Sequence, residues 1–380
     1  GSEMCIRDRL HFILGKANPD RANGVNQVIH GLAKYQSKAG HEVRVLGISR
    51  SMKVPYEKVQ REYFEVECFK TFNSKSFAYL KEIVQNIDVV HLHGVWNKNN
   101  IVVGRHLEKI AKPYVITAHC GYSLDRLKQS NYLFKLLYHK LWQKRLYEHA
   151  AGIHALTREE ATDISRFCKN NNIFVVPNGV DPDTFDKYCY QVHEDRNKIR
   201  FGYLGRLSVE KNIDNLIYSI SLLPTDIKSK VELLLIGPVN NKVKSLQRLV
   251  TELDIKDNVK FVGGQYGENK IQALLDLDFY IHPAYSDVVG IAVMEALALG
   301  LPTIVTRTSH MSYFNNMNAF IMVEPTATDF CRGINEMISK RLVWHEYSDR
   351  AKKLYKKEFN WNTNAHRIVE LYKSLYNNET

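Results

Sequence analysis

Short apolar runs alternate with longer amphipathic segments along the first half of the chain. The runs have the length of buried strands, and the segments between them carry apolar residues at helical spacing. This alternation predicts strand–helix–strand units, which form a parallel sheet with helices on both faces. The predicted strands are 10–15, 42–48, 88–94 and 113–119, with helices at 24–39 and 99–111.

The same alternation restarts after a polar, turn-rich segment at 177–198, with apolar runs at 199–205, 231–237, 258–264, 278–285 and 302–306. Two such series predict an α/β protein with two doubly wound, Rossmann-like domains. A cleft between two domains is the default position for a ligand. We place the domains at 10–178 and 179–359, followed by an amphipathic helix at 360–378.

The segment SDVVGIAVMEALALGLPTI (286–304) carries Glu295 inside an otherwise apolar predicted helix. A buried carboxylate needs a polar partner, and the paired hydroxyls of a sugar diol would provide one. The helix begins after Gly290, and its free N–H groups form an anion site close to Asp287. The alternative is that Asp287 caps the helix and Glu295 pairs with a distant Arg or Lys.

Two basic residues lie near the start of another predicted helix. In GYLGRLSVEKNID (202–214) the turn residue Gly205 follows a strand, and Arg206 and Lys211 stand five residues apart. Arg can bind a pyrophosphate through two parallel hydrogen bonds, and Lys adds a mobile charge. The pair suits a diphosphate, although two solvated surface charges would give the same sequence.

Gly24 lies between the first predicted strand and the first predicted helix. Without a side chain there, backbone amides can approach a phosphate closely. A single glycine is also what an ordinary turn before a helix requires, and that explanation is the commoner one.

Three histidines stand in or at the ends of predicted strands. His119 ends the strand at 113–119 and should face a ligand, whereas alternation places His91 and His93 on one face of a single strand. A packing role explains His91 and His93 at least as well as a functional one. No carboxylate or cysteine stands at a useful spacing from them, so we expect no metal.

The segment 131–152 forms an aromatic and basic predicted helix. Such a helix can lie on an acidic bilayer surface. A buried apolar stripe with a solvated basic face gives the same pattern. We favour packing and keep peripheral contact with an acidic membrane as the alternative.

The composition excludes several classes of protein. Of 380 residues, 44% are apolar and 24% are charged, as in a globular protein, and no run reaches the roughly 18–20 apolar residues of a membrane span. The six cysteines form no CxxC pair, which indicates reduced thiols. We expect a cytoplasmic protein, with the inner face of the membrane as a peripheral location.

The net charge of +11 favours an anionic partner such as a phosphorylated ligand, a membrane surface or nucleic acid. Lysines that only maintain solubility would give the same charge. Nucleic acid is the partner we favour least, because the chain has no dense block of Lys and Arg.

Together these stretches resemble glycosyltransferase family 4, whose members are retaining enzymes of the GT-B type. The resemblance implies two Rossmann-like domains facing across a cleft, with the last helix crossing back to the first domain. HGVW followed by HCGYSLDRLK is similar to members that build bacterial surface polysaccharides. The matching stretches, in family order, are GHEVRVL, DVVHLHGVW, PYVITAHCG, VVPNGVDPDTF, GRLSVEKNID, VELLLIGP, DNVKFVGG and GIAVMEALALGLPTIVT.

The resemblance also implies roles for the residues at matching positions. The two acids of the family's E-x7-E motif fall on Asp287, which would contact the donor sugar, and Glu295, which would hold the ribose diol. Arg206 and Lys211 would bind the diphosphate. The other implied nucleotide-sugar contacts are Gly24 (first-domain loop), His119 (donor sugar), Asn178, Gly205, Val262 (base) and the amides of Gly290, Ile291 and Ala292.

The activity that follows from the resemblance is retaining transfer of a sugar to a glycan or lipid-linked acceptor. The donor would be a UDP- or GDP-sugar, and neither cofactor nor metal is expected. Asp287 stands where the family usually has Glu, and a single glycine at 24 replaces the usual pair, so we expect donor choice to diverge. The alternatives are a GT-B enzyme acting on modified DNA and a non-catalytic sugar-nucleotide-binding protein.

Overall fold

The computed structural model describes residues 8–14, 24–123, 127 and 131–377. Its described residues fall into two compact units, one formed by 8–179 together with 361–377 and the other by 180–360. The units change at 179/180 and at 360/361. Each boundary lies one residue later than the domain limit predicted from the sequence. No helix in the described ranges is long and apolar enough to cross a membrane.

The first unit is built on one eight-stranded sheet. Its strands are β1 (Asp8–Leu14), β2 (Glu42–Ile48), β3 (Tyr56–Gln60), β4 (Glu65–Phe69), β5 (Val89–His93), β6 (Tyr114–Thr117), β7 (Gly152–Ala155) and β8 (Ile173–Val175). They lie in the order β3-β4-β2-β1-β5-β6-β7-β8, and every pairing is parallel except the β3–β4 hairpin. The hairpin adds an edge that the parallel-sheet prediction did not include.

The second unit contains a six-stranded, wholly parallel sheet. Its strands are β9 (Ile199–Leu204), β10 (Val231–Ile236), β11 (Val259–Gly263), β12 (Phe279–His282), β13 (Thr303–Thr306) and β14 (Phe320–Val323). Their order, β11-β10-β9-β12-β13-β14, reverses direction between β9 and β12. Ligands of doubly wound sheets bind at such a reversal, beyond the carboxyl ends of the strands.

Helices cover both sheets. In the first unit they are α1 (Gly24–Lys38), α2 (Ser74–Ile83), α3 (Lys98–Lys109), α4 (Tyr132–Tyr138), α5 (Lys144–Glu148) and α6 (Arg158–Ser165), with a π-helical turn at His139–Gln143. In the second they are α7 (Pro182–Phe185), α8 (Ile213–Ser221), α9 (Thr225–Lys228), α10 (Asn241–Glu252), α11 (Gly267–Leu275), α12 (Ile291–Leu299), α13 (Ala327–Ser339) and α14 (Trp344–Glu358). The last helix, α15 (Trp361–Asn377), groups with the first unit.

The predicted strands and helices of both units are confirmed, with limits that shift by one or two residues at most ends. The predicted helix at 131–152 ends earlier, at Glu148, and is interrupted by the π-helical turn. The apolar side chains of this helix were expected to pack, and that prediction is wrong for one stripe. Its exposed members, at 41–79% of full exposure, are Leu133, Phe134, Leu137, Leu141 and Trp142.

Helix α15 packs closely on the first unit. A side chain at Gly31 of α1 would come within 2.2 Å of the Trp361 ring, and one at Gly179 within 2.7 Å of the Trp361 backbone nitrogen. These glycines are needed because they let the helix approach. The apolar face predicted for the tail is buried, and its members are Ile368, Leu371, Tyr372 and Leu375.

We predict that Ile368→Ala destabilises the first unit, because the Ile368 side chain is fully buried. Removing it should lower the free energy of unfolding by about 2–5 kcal/mol. Urea unfolding followed by circular dichroism measures the loss. Glu370→Ala, at an exposed position on the same helix, is the control and should change stability little. Equal losses for both variants would contradict the packing described for α15.

Candidate functional site

Most of the site residues predicted in the second unit lie where the strand order reverses, between β9 and β12. The two strands pair directly, with Phe279 opposite Phe201. Gly205 and Arg206 follow β9, and the loop that follows β12 contains Asp287. Because the strands are parallel, both loops emerge at the same edge of the sheet.

Asp287 is the centre of a buried cluster of charges. Its Oδ2 accepts a hydrogen bond from Lys211 Nζ at 2.5 Å, and His282 Nε2 lies 3.1 Å from the same oxygen. Burial alone would raise the pKa of the Asp287 carboxyl. The hydrogen bond with His282 and the charge of Lys211 outweigh burial and hold that pKa well below its usual range. Asp287 is therefore an ionised acid at neutral pH.

His282 is a site residue that the sequence reasoning missed. It is buried at the carboxyl end of β12, and burial lowers the pKa of its imidazole although Asp287 acts in the opposite direction. The signal was available, since YIHP places a histidine at a strand end as ITAHC does with His119. A side chain at Gly290 would lie 2.9 Å from the His282 ring and 3.1 Å from Asp287 Oδ2, so Gly290 leaves the space that the pair occupies.

The loop before α12 has a strained backbone. Val289 has φ +43°, a conformation that a β-branched residue rarely adopts. Hydrogen bonds from Asp287 N to Thr308 O (3.3 Å) and from Val289 N to Ser309 O (3.1 Å) hold the loop in place. Backbone strain of about 1–3 kcal/mol persists only where the surroundings impose it, and such strain is concentrated at functional sites.

Helix α12 begins with unsatisfied backbone donors. Among the described residues, no hydrogen bond engages the N–H groups of Gly290, Ile291 or Ala292. Together with the helix dipole these groups attract an anion. The helix cap is Gly290, without a side-chain cap bond, so the interpretation of Asp287 as a capping residue is wrong.

The two predicted diphosphate-binding cations differ in exposure. Lys211 ends the 3₁₀ turn Val209–Lys211 and its side chain is 14% exposed, whereas the Arg206 side chain is 67% exposed and pairs with Glu210 at 3.2 Å. Lys211 therefore acts in a less solvated environment, where its charge is screened less.

The partner of Glu295 is Lys270 on α11. Lys270 Nζ lies 2.5 Å from Glu295 Oε1, and the two side chains are 18% and 7% exposed. This ion pair matches the alternative in which Glu295 pairs with a distant basic residue. No hydrogen bond in the described part of the chain engages the second oxygen, Oε2, so the carboxylate keeps the capacity to accept from hydroxyls.

A cavity of about 600 Å³ lies next to Val262 in the second unit. Its wall is formed by the loop after β9, the loop after β10 with the first turns of α10, and the end of β11, with Gly237 and Asn240 among the lining residues. A side chain at Gly237 would lie 2.0 Å from the carbonyl oxygen of Gly205, so only glycine lets these two loops approach. Gly205 directly follows β9, whereas Val262, expected in a base-contacting loop, lies in the last residues of β11.

His119, the predicted sugar-contacting residue of the first unit, lies just after β6. Its backbone has φ +48°, its ring is half-buried, and its Nε2 lies 3.0 Å from His93 Nδ1. The Cys120 amide donates to Glu160 Oε1 at 2.6 Å, which fixes the turn. Glu160 was not identified from the sequence, because it lies forty residues further along the chain.

Gly24 and Asn178 also belong to the first unit. Gly24 is the first residue of α1, while the predicted loop before it, including Asn23, lies outside the described residues. Asn178 is buried, and its backbone carbonyl accepts a hydrogen bond from Asn364 Nδ2 of α15 at 3.3 Å. For Asn178 this contact indicates a structural role in addition to the predicted ligand contact.

Three buried histidines of the first unit lie close enough to be considered as metal ligands. Ring nitrogens of His11, His91 and His93 lie within 4.8 Å of one another. Their nitrogens are already hydrogen-bonded, and the His91 and His93 rings are stacked with centroids 4.2 Å apart. Stacked rings cannot both direct an in-plane lone pair at one ion without rotating, so the hydrogen-bonded arrangement fits these residues better than a metal site.

Two family models match the chain. The one described as Glycosyltransferase Family 4 matches residues 22–184, and the one described as Glycosyl transferases group 1 matches residues 186–361. Escherichia coli lipopolysaccharide glucosyltransferase WaaG is 26% identical over 181 residues, which are 44% of this chain and 46% of WaaG. The match thus spans about half the length of that relative. One human phosphatidylinositol N-acetylglucosaminyltransferase subunit is 20% identical over 391 aligned residues, 94% of this chain and 78% of that protein.

Solved structures agree with the fold. The structure of Anabaena Alr3699/HepE in complex with UDP superimposes with a TM-score of 0.76 at 17% sequence identity, covering 96% of this chain and 100% of that one. Together the two family models match most of the chain, and each covers one of the two series of strands. This chain belongs to glycosyltransferase family 4 and has the GT-B fold.

Proposed function

We propose that this protein transfers a sugar from a nucleotide-diphospho-sugar to a glycan or lipid-linked acceptor, with retention of anomeric configuration. The nucleotide is UDP or GDP. The observation that carries the proposal is the cluster at the carboxyl ends of β9 and β12, where Lys211, whose side chain is 14% exposed, and the open start of α12 provide positive charge beside ionised Asp287.

The diphosphate binds where positive charge is concentrated. As the glycosidic bond stretches, the leaving diphosphate gains negative charge, which Lys211, Arg206 and the amides at Gly290, Ile291 and Ala292 stabilise. Fixed donors of this kind supply the charge stabilisation without a metal ion. Lys211 then shares its ammonium between the diphosphate and Asp287, which contacts the donor sugar.

The nucleoside binds toward the cavity beside Val262. Glu295 accepts hydrogen bonds from the ribose hydroxyls through Oε2, while Lys270 keeps Oε1 neutralised. The UDP complex of the structural neighbour HepE supports a nucleotide donor for this chain as well.

The acceptor side includes the exposed apolar stripe of α4 and the π-helical turn. Leu133 and Phe134 are 79% and 65% exposed, and Lys140, Lys144 and Arg145 add exposed positive charge to the same helix. Apolar side chains flanked by basic ones bind the surface of an acidic bilayer. This stripe supports a lipid-linked acceptor and a peripheral location on the membrane.

We predict that Lys211→Ala lowers kcat with a UDP- or GDP-sugar donor by about 10²–10³-fold, the usual effect of removing one charge-stabilising donor. Arg206→Ala should change kcat in the same direction. Lys340→Ala removes another ion-paired lysine, which bonds Glu336 at 2.6 Å on α13, and should keep the native rate. Radiolabelled sugar transfer measures the rates, and native turnover of Lys211→Ala would rule out the diphosphate assignment.

Glu295→Gln should weaken UDP or GDP binding at least tenfold, because hydrogen bonds to a charged group are worth about 1.5–3 kcal/mol. Glu232→Gln is a matched control, since Glu232 is a buried glutamate of β10 that pairs with Lys260 of β11 and Arg200 of β9. Thermal-shift measurements with UDP, GDP, ADP and CMP detect nucleotide binding as a rise in the Tm of the protein. Equal loss of binding in both variants would show that Glu295 contributes only through stability.

The double variant Phe134→Ser with Leu141→Ser should bind vesicles of phosphatidylglycerol and phosphatidylcholine about tenfold or more weakly, since it removes two exposed apolar groups. Leu222→Ser with Leu342→Ser removes two exposed leucines of the second unit and serves as control. Vesicle co-sedimentation at two salt concentrations measures binding. Unchanged sedimentation of the first variant would exclude the stripe as the membrane contact.

A further inference from the structure

The turn that follows β5 has an unusual backbone. Gly94 has φ +90° and Trp96 has φ +58°, a conformation that is uncommon for residues other than glycine. The turn lies at the carboxyl end of its strand, which is the edge of a parallel sheet where ligands bind. Strain in a backbone persists only where neighbouring groups impose it, and it is concentrated at functional sites. The groups that hold Trp96 are therefore of functional interest.

Trp96 is held at both of its nitrogen atoms. Its backbone N–H donates to Gln143 Oε1 at 2.8 Å, and its indole Nε1–H donates to the Gly121 carbonyl oxygen at 3.3 Å. The neighbouring Val95 packs so closely on Gly121 that a side chain there would lie 1.8 Å from Val95 Cγ2. The indole is thus fixed in the turn, yet Trp96 remains partly exposed.

Gln143 reaches Trp96 from the π-helical turn. The Lys144 N–H bonds to the carbonyl oxygen of His139, five residues earlier, and the side chains of His139 and Gln143 are buried in the first unit. The π-helical turn interrupts the helix that carries the exposed apolar stripe. Turns of this kind are rare and occur frequently at functional sites. One short segment thus presents apolar side chains to solvent and also holds the turn after β5.

Two backbone groups fix every donor and acceptor around Gln143. His139 Nε2 lies 2.9 Å from the Phe167 carbonyl oxygen, which only accepts, so Nε2 carries the proton. Burial lowers the pKa of the His139 imidazole, and in the neutral ring Nδ1 accepts from the Tyr122 hydroxyl at 3.0 Å. The Tyr122 oxygen then accepts from Gln143 Nε2 at 3.0 Å, which directs Oε1 to Trp96. The Trp96 N–H only donates, so it requires the same orientation of the amide.

Aromatic rings connect Trp96 to the exposed apolar stripe. The centroid of the Tyr138 ring lies 6.2 Å from that of Trp96. It also lies 5.4 Å from the Trp142 ring and 6.4 Å from the Phe134 ring. Phe134 and Trp142 belong to the stripe and are 65% and 41% exposed. Apolar side chains therefore continue from the outside of the helix to the strained turn, as an amphiphilic ligand requires.

We propose that Trp96 contacts the acceptor, that this acceptor is a glycolipid, and that Gln143 is the positioning residue that holds Trp96 in place. The inference rests on the proposed function and selects the lipid-linked acceptor over a free glycan. The apolar chain lies along the stripe and Tyr138, and the saccharide lies against the exposed part of the Trp96 ring. Because the indole N–H is already bonded to Gly121, the ring offers its apolar surface to the C–H face of a sugar.

Amide hydrogen exchange of the full chain labelled with ¹⁵N-tryptophan tests the positioning role. The chain has four tryptophans, so the spectrum is simple, and Trp96→Phe assigns the Trp96 backbone amide. Gln143→Met removes the acceptor of this amide and should make its exchange about two- to tenfold faster, the worth of one neutral hydrogen bond. Gln143→Glu keeps an acceptor and should retain slow exchange. Native exchange in Gln143→Met would overturn the role of Gln143.

Radiolabelled sugar transfer tests the acceptor contact. The probes are dodecyl and methyl β-glycosides of glucose, galactose and mannose, used below the micelle-forming concentration with a saturating UDP- or GDP-sugar. The native protein should have a lower KM for a dodecyl glycoside than for the methyl glycoside of the same sugar, because the dodecyl chain buries apolar surface. Gln143→Met should raise the KM for the dodecyl glycoside about two- to tenfold, and Trp96→Ala about tenfold, with the donor KM unchanged.

Tyr122→Phe and Tyr114→Phe form a matched pair of variants. Each removes a buried hydroxyl, but only that of Tyr122 bonds to Gln143, whereas that of Tyr114 donates to Leu146 O at 2.7 Å. Only Tyr122→Phe should accelerate exchange of the Trp96 amide and raise the acceptor KM. Equal KM values for dodecyl and methyl probes, transfer to none of the probes, or a native acceptor KM in Trp96→Ala would overturn the glycolipid contact. Failure of the native protein to bind UDP or GDP would instead refute the proposed function.

Discussion

The second unit depends on keeping the Asp287 carboxylate ionised while it is buried. A buried charge is tolerated only when it is paired and hydrogen-bonded, and Lys211 and His282 both meet that need at one oxygen. The strand order brings β9 and β12 side by side, which places the two partners around the same acid. Gly290 and the strained Val289 follow from the same constraint, because they shape the loop around it.

The second acid of the motif is satisfied in the same way, by Lys270 against Glu295. In this state both acids are neutralised by lysines from other elements of the second unit. In the proposed function, a bound sugar nucleotide exchanges these ion pairs for new contacts, and only the difference in interaction free energy between the two sets contributes to affinity. That exchange favours ligands that bring their own negative charge near Lys211.

The sequence was informative where function depends on local pattern. Apolar runs located the strands, and Arg206, Lys211, Asp287 and Glu295 stood near recognisable strand ends and helix starts. It did not reveal Lys270, because its partner Glu295 lies 25 residues away and nothing local specifies such a pair. The exposed stripe on α4 was misjudged for a related reason, since an apolar face looks the same whether it meets the core or a partner.

Helix α15 affects how the chain reaches this structure. The first unit takes Trp361 and Tyr372 from a helix that follows the whole of residues 180–360. During synthesis its sheet is made early, yet its last buried face is covered only after the second unit has emerged. Contacts between residues so far apart in sequence form slowly. The environment of His91, whose ring is hydrogen-bonded to the Tyr372 hydroxyl, is consequently among the last parts of the first unit to become ordered, which leaves a newly made chain incompletely folded until α15 docks.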